Sequence, residues 1–214
     1  MEIEFTAEPR PSKCRTLELR GITLSVPEGV YEPREDSFLL ADAVEGHAFG
    51  NVLDMGTGCG LQGITAARKK NVESVVSVDV SEKALAAARA NAEKNGVAAK
   101  MSFTKSDLFS ALAGRFDTIA FNPPYLPTER LEKKFPDAAA WDGGPTGRRV
   151  IDRFLGGFPE FLAPKGVLLF LSSSLSGTGK TLKKLAENGF KTRAVREESF
   201  FFEKITAILA ERKS

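Results

Sequence analysis

The sequence predicts an α/β fold built on a doubly wound, mostly parallel sheet of seven strands, preceded by a short N-terminal β-hairpin. Short apolar runs, rich in Val, Ile, Leu and Phe, alternate with segments whose apolar residues recur at helical spacing. Strands that alternate with helices are typical of a parallel sheet with helices packed on its faces. The runs predicted to form the sheet are 51–55, 74–79, 100–104, 116–121, 166–171, 190–196 and 205–209.

The composition is that of one folded domain. A chain of 214 residues can bury a sizeable core, and its 42% hydrophobic and 27% charged fractions are ordinary for a folded protein. The formal net charge is +2 and the Lys and Arg residues are scattered, which does not favour a nucleic-acid surface. The two cysteines, Cys14 and Cys59, form no Cys-x-x-Cys pair, so we expect neither a disulfide framework nor a zinc site.

The first segment carries no sign of secretion. Residues 1–5 lack the pattern of a signal peptide, and no apolar stretch of the sequence is long enough to span a membrane. We therefore expect a cytoplasmic protein. His47 is the only histidine and lies in a predicted helix-to-strand connection, so we interpret it as structural.

Residues 1–29 are predicted to be an extension of the same domain as residues 30–214. Residues 1–16 are polar, contain two prolines and are expected to form a tail or a loosely packed arm. The apolar runs 17–19 and 22–26 flank Gly21 as the strands of a short hairpin would.

The tetrad Asn122-Pro123-Pro124-Tyr125 suggests a reaction, because it directly follows the apolar strand 116–121. Ligands of open α/β sheets bind at the carboxyl ends of the strands, and the two prolines make this backbone stiff. The Asn122 side-chain oxygen and the Pro123 carbonyl could each accept an N–H from a planar –NH2 group, with Tyr125 stacked on its conjugated plane. A rigid turn with no catalytic role is an equally consistent interpretation of these four residues alone.

A glycine-rich loop, Gly56-Thr57-Gly58-Cys59-Gly60, follows the first strand of the predicted sheet and precedes a predicted helix over 61–70. Such a loop permits a tight turn and a close approach of the backbone to a ligand. Together with Gly63 it also matches the Gly-x-Gly-x-x-Gly dinucleotide fingerprint. Asp54, two residues before the first glycine, argues against a pyrophosphate and suits a ligand that carries an ammonium group.

Polar residues at other predicted element ends are further candidates. Asp79 ends the second strand and could bind the two hydroxyls of a ribose. Asp107 follows the third strand and could accept a hydrogen bond from an adenine amino group, although a helix cap is a comparable interpretation. Tyr31 and Ser37 stand near the start of a helix with an acidic first turn, where they could face a ligand or only satisfy the helix end.

A long polar loop, 126–147, follows the tetrad and contains Trp141-Asp142-Gly143-Gly144. Loops of this length inside a compact domain are usually functional or mobile. Because it continues directly from the tetrad, we interpret it as part of a substrate groove.

Taken together, these motifs resemble class I S-adenosylmethionine methyltransferases, which have a Rossmann-like fold. The resemblance covers residues 30 to about 210 and rests on the acid and glycines of the first loop, the two further acids and Asn-Pro-Pro-Tyr. Within this class, three stretches resemble the HemK family of release-factor glutamine N5-methyltransferases, in its eukaryotic and archaeal branch: residues 30–40, 121–125 and 141–154. The family often has Thr where Ser37 stands, and this branch often has Glu where Asp54 stands; both changes keep the donor or the charge.

The resemblance implies S-adenosylmethionine as cofactor and, as substrate, the Gly-Gly-Gln loop of a class 1 translation termination factor. It implies that Asn122 and Pro123 hold the glutamine amide, with Pro124 and Tyr125 completing the catalytic site. It places Asp54 near the methionine ammonium group, Asp79 at the ribose and Asp107 at the adenine. The other cofactor-binding positions that it implies are Tyr31, Ser37, Gly56, Gly58, Gly60, Val80, Leu108 and Asn122.

The resemblance also implies a small zinc-binding activator protein that forms a heterodimer with this chain. The strand near Lys100–Thr104 is expected at the edge of the sheet, where the activator would add a strand. Met101 and Phe103 are candidate contacts, and packing in the chain's own core is the alternative for both.

Three other functions remain open. Adenine N6-methylation of DNA or RNA needs the same hydrogen-bond acceptors for a planar amino group. The small positive net charge of the chain argues against a nucleic-acid substrate. Protein lysine methylation suits the tetrad less well, because an ammonium group has no conjugated plane. A non-catalytic S-adenosylmethionine-binding scaffold is the third alternative.

Overall fold

The computed structural model describes residues 14–128 and 140–213. The strands of this part are β1 (Cys14–Leu19), β2 (Ile22–Pro27), β3 (Gly50–Met55), β4 (Val72–Asp79), β5 (Met101–Lys105), β6 (Phe116–Phe121), β7 (Leu162–Ser173), β8 (Phe190–Ser199) and β9 (Lys204–Arg212). Its α-helices are α1 (Glu35–His47), α2 (Leu61–Ala67), α3 (Glu82–Lys94), α4 (Arg149–Phe161) and α5 (Thr178–Glu187). None of these helices is long and apolar enough to cross a membrane.

Seven strands form one sheet in the order β5-β4-β3-β6-β7-β9-β8. The pairs among β5, β4, β3, β6 and β7 are parallel, and β9 is antiparallel to both β7 and β8. The predicted doubly wound, mostly parallel sheet is therefore confirmed. The strand order reverses between β3 and β6, whose last residues, Met55 and Phe121, are partners in the register. This is the topological switch point, where ligands of such sheets bind.

The two faces of the sheet bury different cores. One face packs against α4 and α5 through stacked and tilted phenylalanines; the ring centroids of Phe121 and Phe154 lie 4.6 Å apart. The other face packs against α1 and α2 through aliphatic residues such as Leu40 and Val44. Because the strands are covered on both sides, residues 119–121 of β6 and 167–171 of β7 are continuously apolar, which made these strands easy to recognise.

The N-terminal hairpin forms as predicted but begins earlier. Arg20 and Gly21 both have positive φ, which is the backbone of a tight two-residue hairpin turn. Cys14, Arg15 and Thr16, predicted to belong to the tail, pair with β2 and are part of β1; this prediction was wrong because cross-strand pairing outweighs their polar character. Residues 1–13 lie outside the described residues.

Asn91 of α3 and Asn95, which directly follows this helix, attach the hairpin to the rest of the chain. Asn91 accepts a hydrogen bond from the Ser25 N–H at 2.8 Å and donates to the Ser25 carbonyl at 3.0 Å. Asn95 makes the same pair of bonds with Thr23, at 3.0 and 2.8 Å. Each side-chain amide thus pairs with a main-chain N–H and a main-chain carbonyl of β2, as the backbone of a neighbouring strand would. Asn91 also donates to the carbonyl of Cys59 in the glycine loop, at 2.9 Å, so one residue connects the hairpin to that loop.

Several predicted boundaries need correction. His47 is the last residue of α1, not part of the connection. Asp42 of α1 is half-buried, because it pairs with Arg20 of the hairpin turn. The helix predicted over 61–70 ends at Ala67, since the chain must turn to enter β4 at Val72.

Candidate active site

A cavity of about 580 Å³ opens at the carboxyl ends of the strands around the switch point. It lies between the glycine loop, the start of α1 and the segment after β6. The structure therefore brings together most residues that were predicted to form the site. Those that line the cavity are Tyr31, Ser37, Gly56, Gly58, Asp79, Val80, Asp107, Leu108, Asn122, Pro123, Pro124 and Tyr125.

The glycine loop has the conformation that its glycines predict. Gly56, Gly58 and Gly60 have φ values of 64, 56 and 95°, in the region that favours glycine. Gly60 lies behind the cavity, where a Cβ would stand 3.1 Å from Ala88 Cα. The loop thus needs Gly60 for its packing on α3, while Gly56 and Gly58 face the cavity.

Asp54 lies beneath the glycine loop and not on the cavity wall. Its side chain is buried, and its Oδ2 accepts hydrogen bonds from Thr57 Oγ1 at 2.5 Å and from the Gly63 N–H at 2.9 Å. Its Oδ1 has no partner among the residues that the structure describes. Burial raises the pKa of Asp54 to about 6, against the opposing effect of these hydrogen bonds. Asp54 fixes the loop to the start of α2.

Gly63 of α2 lies against this carboxylate, so we expect Gly63→Ala to destabilise the fold. A Cβ at this position would stand 2.8 Å from Asp54 Oδ2 and 2.7 Å from Ser77 Oγ. Forcing a methyl group into such a contact costs about 1–3 kcal/mol of the free energy of unfolding, measured by chemical denaturation. Gly46→Ala in α1 is the matched control, because a Cβ there meets nothing within 4 Å; it should stabilise by up to about 1 kcal/mol. Equal effects of the two substitutions would contradict this packing.

The raised pKa of Asp54 predicts a pH dependence of stability in the cofactor-free protein. Between about pH 4, where an unfolded Asp loses its proton, and about pH 6, the folded carboxyl keeps its proton. The folded state binds more protons in this window, so the free energy of unfolding falls as pH rises through it. The free energy of unfolding of the wild type minus that of Asp54→Asn should fall by about 3 kcal/mol from about pH 4 to about pH 6. The other carboxyl groups contribute equally to both proteins and cancel in this difference. A difference independent of pH in denaturation curves would refute the assignment.

Asp79, at the end of β4, and Asp107, shortly after β5, both line the cavity but differ in exposure and in hydrogen-bond partners. Asp79 accepts from the Gly58 N–H at 3.0 Å and from the Ser81 N–H at 2.9 Å, so its carboxylate is fixed at the rim. Asp107 is exposed and accepts from Arg153 Nη2 at 2.8 Å. Leu108 follows with a positive φ of 51°, and its carbonyl accepts from Ser106 Oγ at 2.7 Å. These residues shape the side of the cavity next to β4 and β5.

Asp36 is the centre of the polar network on the other side, and the sequence analysis missed it. Its Oδ1 accepts from Tyr31 Oη and from the Ser37 N–H, both at 2.6 Å. Its Oδ2 accepts from Asn122 Nδ2 at 3.0 Å and lies 3.5 Å from Tyr125 Oη. The helix dipole alone is enough to explain an acidic first turn. Only the fold shows that this carboxylate reaches the tetrad.

This network orients the side chain of Asn122. A carboxylate only accepts hydrogen bonds, so the Nδ2 of Asn122 faces Asp36, with Ser37 Oγ at 3.4 Å as a second acceptor. The Oδ1 is buried and has no partner in the described part of the chain. An unpaired buried acceptor is costly, and a ligand N–H would remove that cost.

Tyr31 and Tyr125 are neutral donors in this network. Burial, followed by the charge of Asp36, raises the pKa of each phenol far above its usual value. Both hydroxyl groups therefore keep their protons at neutral pH, and their rings supply apolar surface to the cavity wall.

The described part of the predicted groove loop closes one side of the cavity. The main chain of Leu126 accepts from the Gly143 N–H at 2.9 Å and donates to the Trp141 carbonyl at 3.0 Å. Trp141 packs edge-on against Tyr31, with centroids 5.6 Å apart, and Arg34 lies over its ring at 4.7 Å. The loop therefore borders the cavity as predicted, and its residues 129–139 lie outside the described residues.

Two further parts of the cavity wall, a side chain of α2 and the turn between β8 and β9, were not predicted from the sequence. Gln62 of α2 donates to the Ser37 carbonyl at 2.9 Å, and its buried Oε1 has no partner among the described residues. Phe200 and Glu203, from the turn between β8 and β9, also line the cavity. Only the folded sheet brings this distant turn to the switch point.

Residues 35–200 match the family model of the methyltransferase small domain. The chain belongs to this family. A Methanocaldococcus jannaschii protein whose name provisionally assigns it as an N5-glutamine methyltransferase is 41% identical, over 92% of this chain and 98% of its own length. Methyltransferase HEMK2 of Mus musculus is 32% identical, over 76% and 80%. A release factor glutamine methyltransferase of Cereibacter sphaeroides is 30% identical over 73% of this chain, which spans only 59% of that protein. The predicted HemK-family membership is confirmed.

Solved structures agree with this assignment. The E. cuniculi Mtq2-Trm112 complex, described as responsible for methylation of the eRF1 translation termination factor, contains a chain that is 29% identical. The match has a TM-score of 0.67 and covers 86% of this chain and 99% of that one. M. jannaschii TYW2 in complex with AdoMet, at 13% identity and a TM-score of 0.63, shares the fold, over 96% of this chain and 90% of its own.

As predicted, this family member is a methyltransferase that uses S-adenosylmethionine. The residues of the cavity fit that cofactor. Its wall combines a fixed carboxylate at Asp79, apolar surface and backbone with little steric bulk at Gly56 and Gly58. The buried, unpartnered oxygens nearby are acceptors, which matches a cationic cofactor and an N–H-bearing substrate.

Proposed function

We propose that this enzyme methylates the side-chain amide nitrogen of the glutamine in a Gly-Gly-Gln loop of a class 1 translation termination factor. The observation that carries the proposal is the buried, unpaired Oδ1 of Asn122, a residue of the cavity lining whose amide Asp36 orients. A glutamine amide offers the planar N–H group that this acceptor needs. The named activity of the relatives supports the same substrate.

The cofactor supplies an electrophilic methyl group on a sulfonium centre. In the proposed arrangement Asp79 accepts from the ribose hydroxyls, and Asp107 accepts from the adenine amino group beside Val80 and Leu108. Gly56 and Gly58 let the backbone approach. Asp54 contributes negative charge beneath the loop for the ammonium group, and Gly60 holds the loop in shape. Tyr31 and Ser37 complete the wall through their bonds to Asp36.

The chain's main task is to position a weak nucleophile. An amide nitrogen is a poor nucleophile because its lone pair is delocalised. Asn122 Oδ1 and the Pro123 carbonyl would accept its two N–H groups, while Pro124 keeps the backbone rigid and Tyr125 packs on the amide plane. Positioning can lower the barrier by roughly 7–11 kcal/mol in favourable cases. The two acceptors also stabilise the positive charge that develops on nitrogen. The proton then leaves to water, so no general base is assigned.

A labelling experiment tests the proposal. Radiolabelled S-adenosylmethionine is mixed with the enzyme, a class 1 termination factor and the same factor with Gly-Gly-Gln changed to Gly-Gly-Ala, each with and without an activator protein. We expect label on the first factor and none on the second. Label on both would place the acceptor elsewhere in the factor, and label on neither would remove the termination factor as substrate.

The alternatives predict other outcomes. An adenine N6-methyltransferase would label DNA or RNA oligonucleotides in parallel reactions, and a lysine methyltransferase would label the Gly-Gly-Ala factor as well. A scaffold that only binds S-adenosylmethionine would label nothing while still binding the cofactor in calorimetry. The orientation of Asn122 favours the amide, because a charged ammonium group would be served better by a carboxylate.

We also propose that a small zinc-binding activator pairs with the edge strand β5 to form a heterodimer. β5 is the outer strand beside β4, and Ser102 on it is exposed. The partly buried side chains of Met101 and Phe103 pack against the chain's own core, so main-chain pairing is the more suitable contact. Ser102→Pro should abolish co-purification with the activator. Intact co-purification of a folded Ser102→Pro variant would refute the proposal.

Two further inferences accompany this function. We infer that residues 1–29 belong to the same domain as residues 30–214, which the hydrogen bonds of Asn91 and Asn95 to β2 support. Limited proteolysis that released a stable fragment 30–214 would contradict this inference.

A termination factor as substrate would also place the enzyme in the cytoplasm. A tagged chain excluded from that compartment would contradict this localisation.

A further inference from the structure

The turn between β8 and β9 has an unusual composition. Phe200 and Glu203 exchange main-chain hydrogen bonds, N to O at 2.7 and 3.4 Å, which leaves Phe201 and Phe202 as the two residues of the turn. Exposed turns are usually built from Gly, Pro, Asn, Asp and Ser. Here the two side chains are 91% and 81% exposed, with ring centroids 4.5 Å apart. A departure from local preference of this kind is expected at functional sites.

The position of the turn indicates what it serves. Its base, Phe200 and Glu203, lines the catalytic cavity, so the two exposed rings continue that wall outward onto the surface. Glu203 is also held by Ser173 Oγ at 2.5 Å, which ties the turn to the end of β7. Any macromolecule that inserts a side chain into the cavity would meet these rings at the rim.

The surroundings of the turn favour a protein over a nucleic acid. The strand ends beside it carry Glu197 and Glu198, and Glu197 pairs with Lys204 at 2.8 Å. This segment therefore presents apolar surface next to acids, with no excess of positive charge for a phosphate backbone. Two aromatic rings at the rim are the type of anchor that dominates protein–protein interfaces.

We propose that Phe201 and Phe202 form a docking element for the folded protein substrate, outside the cavity that receives its glutamine. The inference rests on the proposed function for the identity of that partner. The rings bind an apolar patch of the termination factor near its Gly-Gly-Gln loop. They supply affinity for the whole protein and take no part in methyl transfer itself.

The test compares a protein substrate with a peptide. The double variant Phe201→Ser/Phe202→Ser is assayed on the termination factor and on a short Gly-Gly-Gln peptide, and direct binding of the factor is measured by calorimetry. We expect KM and Kd for the factor to rise about 10- to 100-fold. Turnover of the peptide and cofactor affinity should stay unchanged. Leu182→Ser, at a partly exposed apolar residue of α5, is the matched control and should change nothing.

Other outcomes would overturn the docking element. Unchanged KM and Kd for the factor would show that the rings do not bind it, and an equal loss on peptide and factor would show that the turn acts on the catalytic cavity. A wild type that self-associates in sedimentation, with a monomeric double variant, would identify a second copy of this chain as the partner. Failure of the wild type to label the factor at all would instead be a failure of the proposed function. Weaker oligonucleotide binding by the variant would assign the rings to nucleic acid.

Discussion

Asn122→Ala is expected to lower kcat for glutamine methylation by about 10²–10³-fold, the usual cost of removing one group that stabilises developing charge. The substitution removes the oriented acceptor Oδ1, whereas the glycine loop and Asp79, which are proposed to contact the cofactor, are untouched. Cofactor affinity measured by calorimetry should therefore stay within a few-fold of the wild type, a margin of about 1 kcal/mol.

The control for this prediction is Asn71→Ala, an exposed asparagine at the entrance to β4. It should leave kcat unchanged. Wild-type kcat in Asn122→Ala would mean that Asn122 does not act on the reacting amide. A parallel loss of cofactor binding would mean that Asn122 is chiefly a cofactor ligand.

Asp36→Asn is expected to reduce kcat by up to about 100-fold, although Asp36 is assigned no contact with the reacting atoms. The new amide would present an NH2 group to the Nδ2 of Asn122, which now donates to Asp36 Oδ2 at 3.0 Å. Two donors cannot pair, so the Asn122 amide should rotate and turn its own NH2 toward the substrate. The acceptor would be lost while the shape of the site is kept.

Asp36 is a positioning residue, and a readout beyond kcat separates this role from a structural one. Asp36→Asn should keep cofactor affinity and the thermal midpoint close to wild type, because Asn can still accept from Tyr31 Oη and the Ser37 N–H. Asp42→Asn in the same helix is the matched control, since Asp42 pairs with Arg20 on the surface. A large fall in the thermal midpoint of Asp36→Asn, with kcat unchanged, would make Asp36 structural only.

The sequence was sufficient for the features that local chemistry dictates. The apolar runs that became β3 and β6 end in Asp54-x-Gly56 and Asn122-Pro123, and their place at the switch point follows from the topology of open α/β sheets. It was not sufficient for contacts between distant segments. Asp36 and Asn122 are joined only by folding, and an acidic helix start has a simpler local explanation.

The same limit explains two other differences. Asp54 was predicted to lie near the cofactor because it precedes the glycines, and that role stays a prediction. The sequence could not show that the hydrogen bond from the Gly63 N–H holds this carboxylate beneath the loop, not on the cavity wall. Phe201 and Phe202 lie between the predicted strands 190–196 and 205–209, and their apolar character alone indicated no function. Only the exposure of both rings and the contact of Phe200 with the cavity suggest a function for that turn.

The most direct test of the central claim is to locate the transferred methyl group. The termination factor is incubated with the enzyme, the activator and S-adenosylmethionine, and its digest is sequenced by tandem mass spectrometry, with Asn122→Ala as the parallel reaction. We expect one methyl group on the glutamine of Gly-Gly-Gln with the wild type, and a strongly reduced amount with the variant. A methyl group on a lysine or on the peptide backbone, or equal modification by both enzymes, would contradict it.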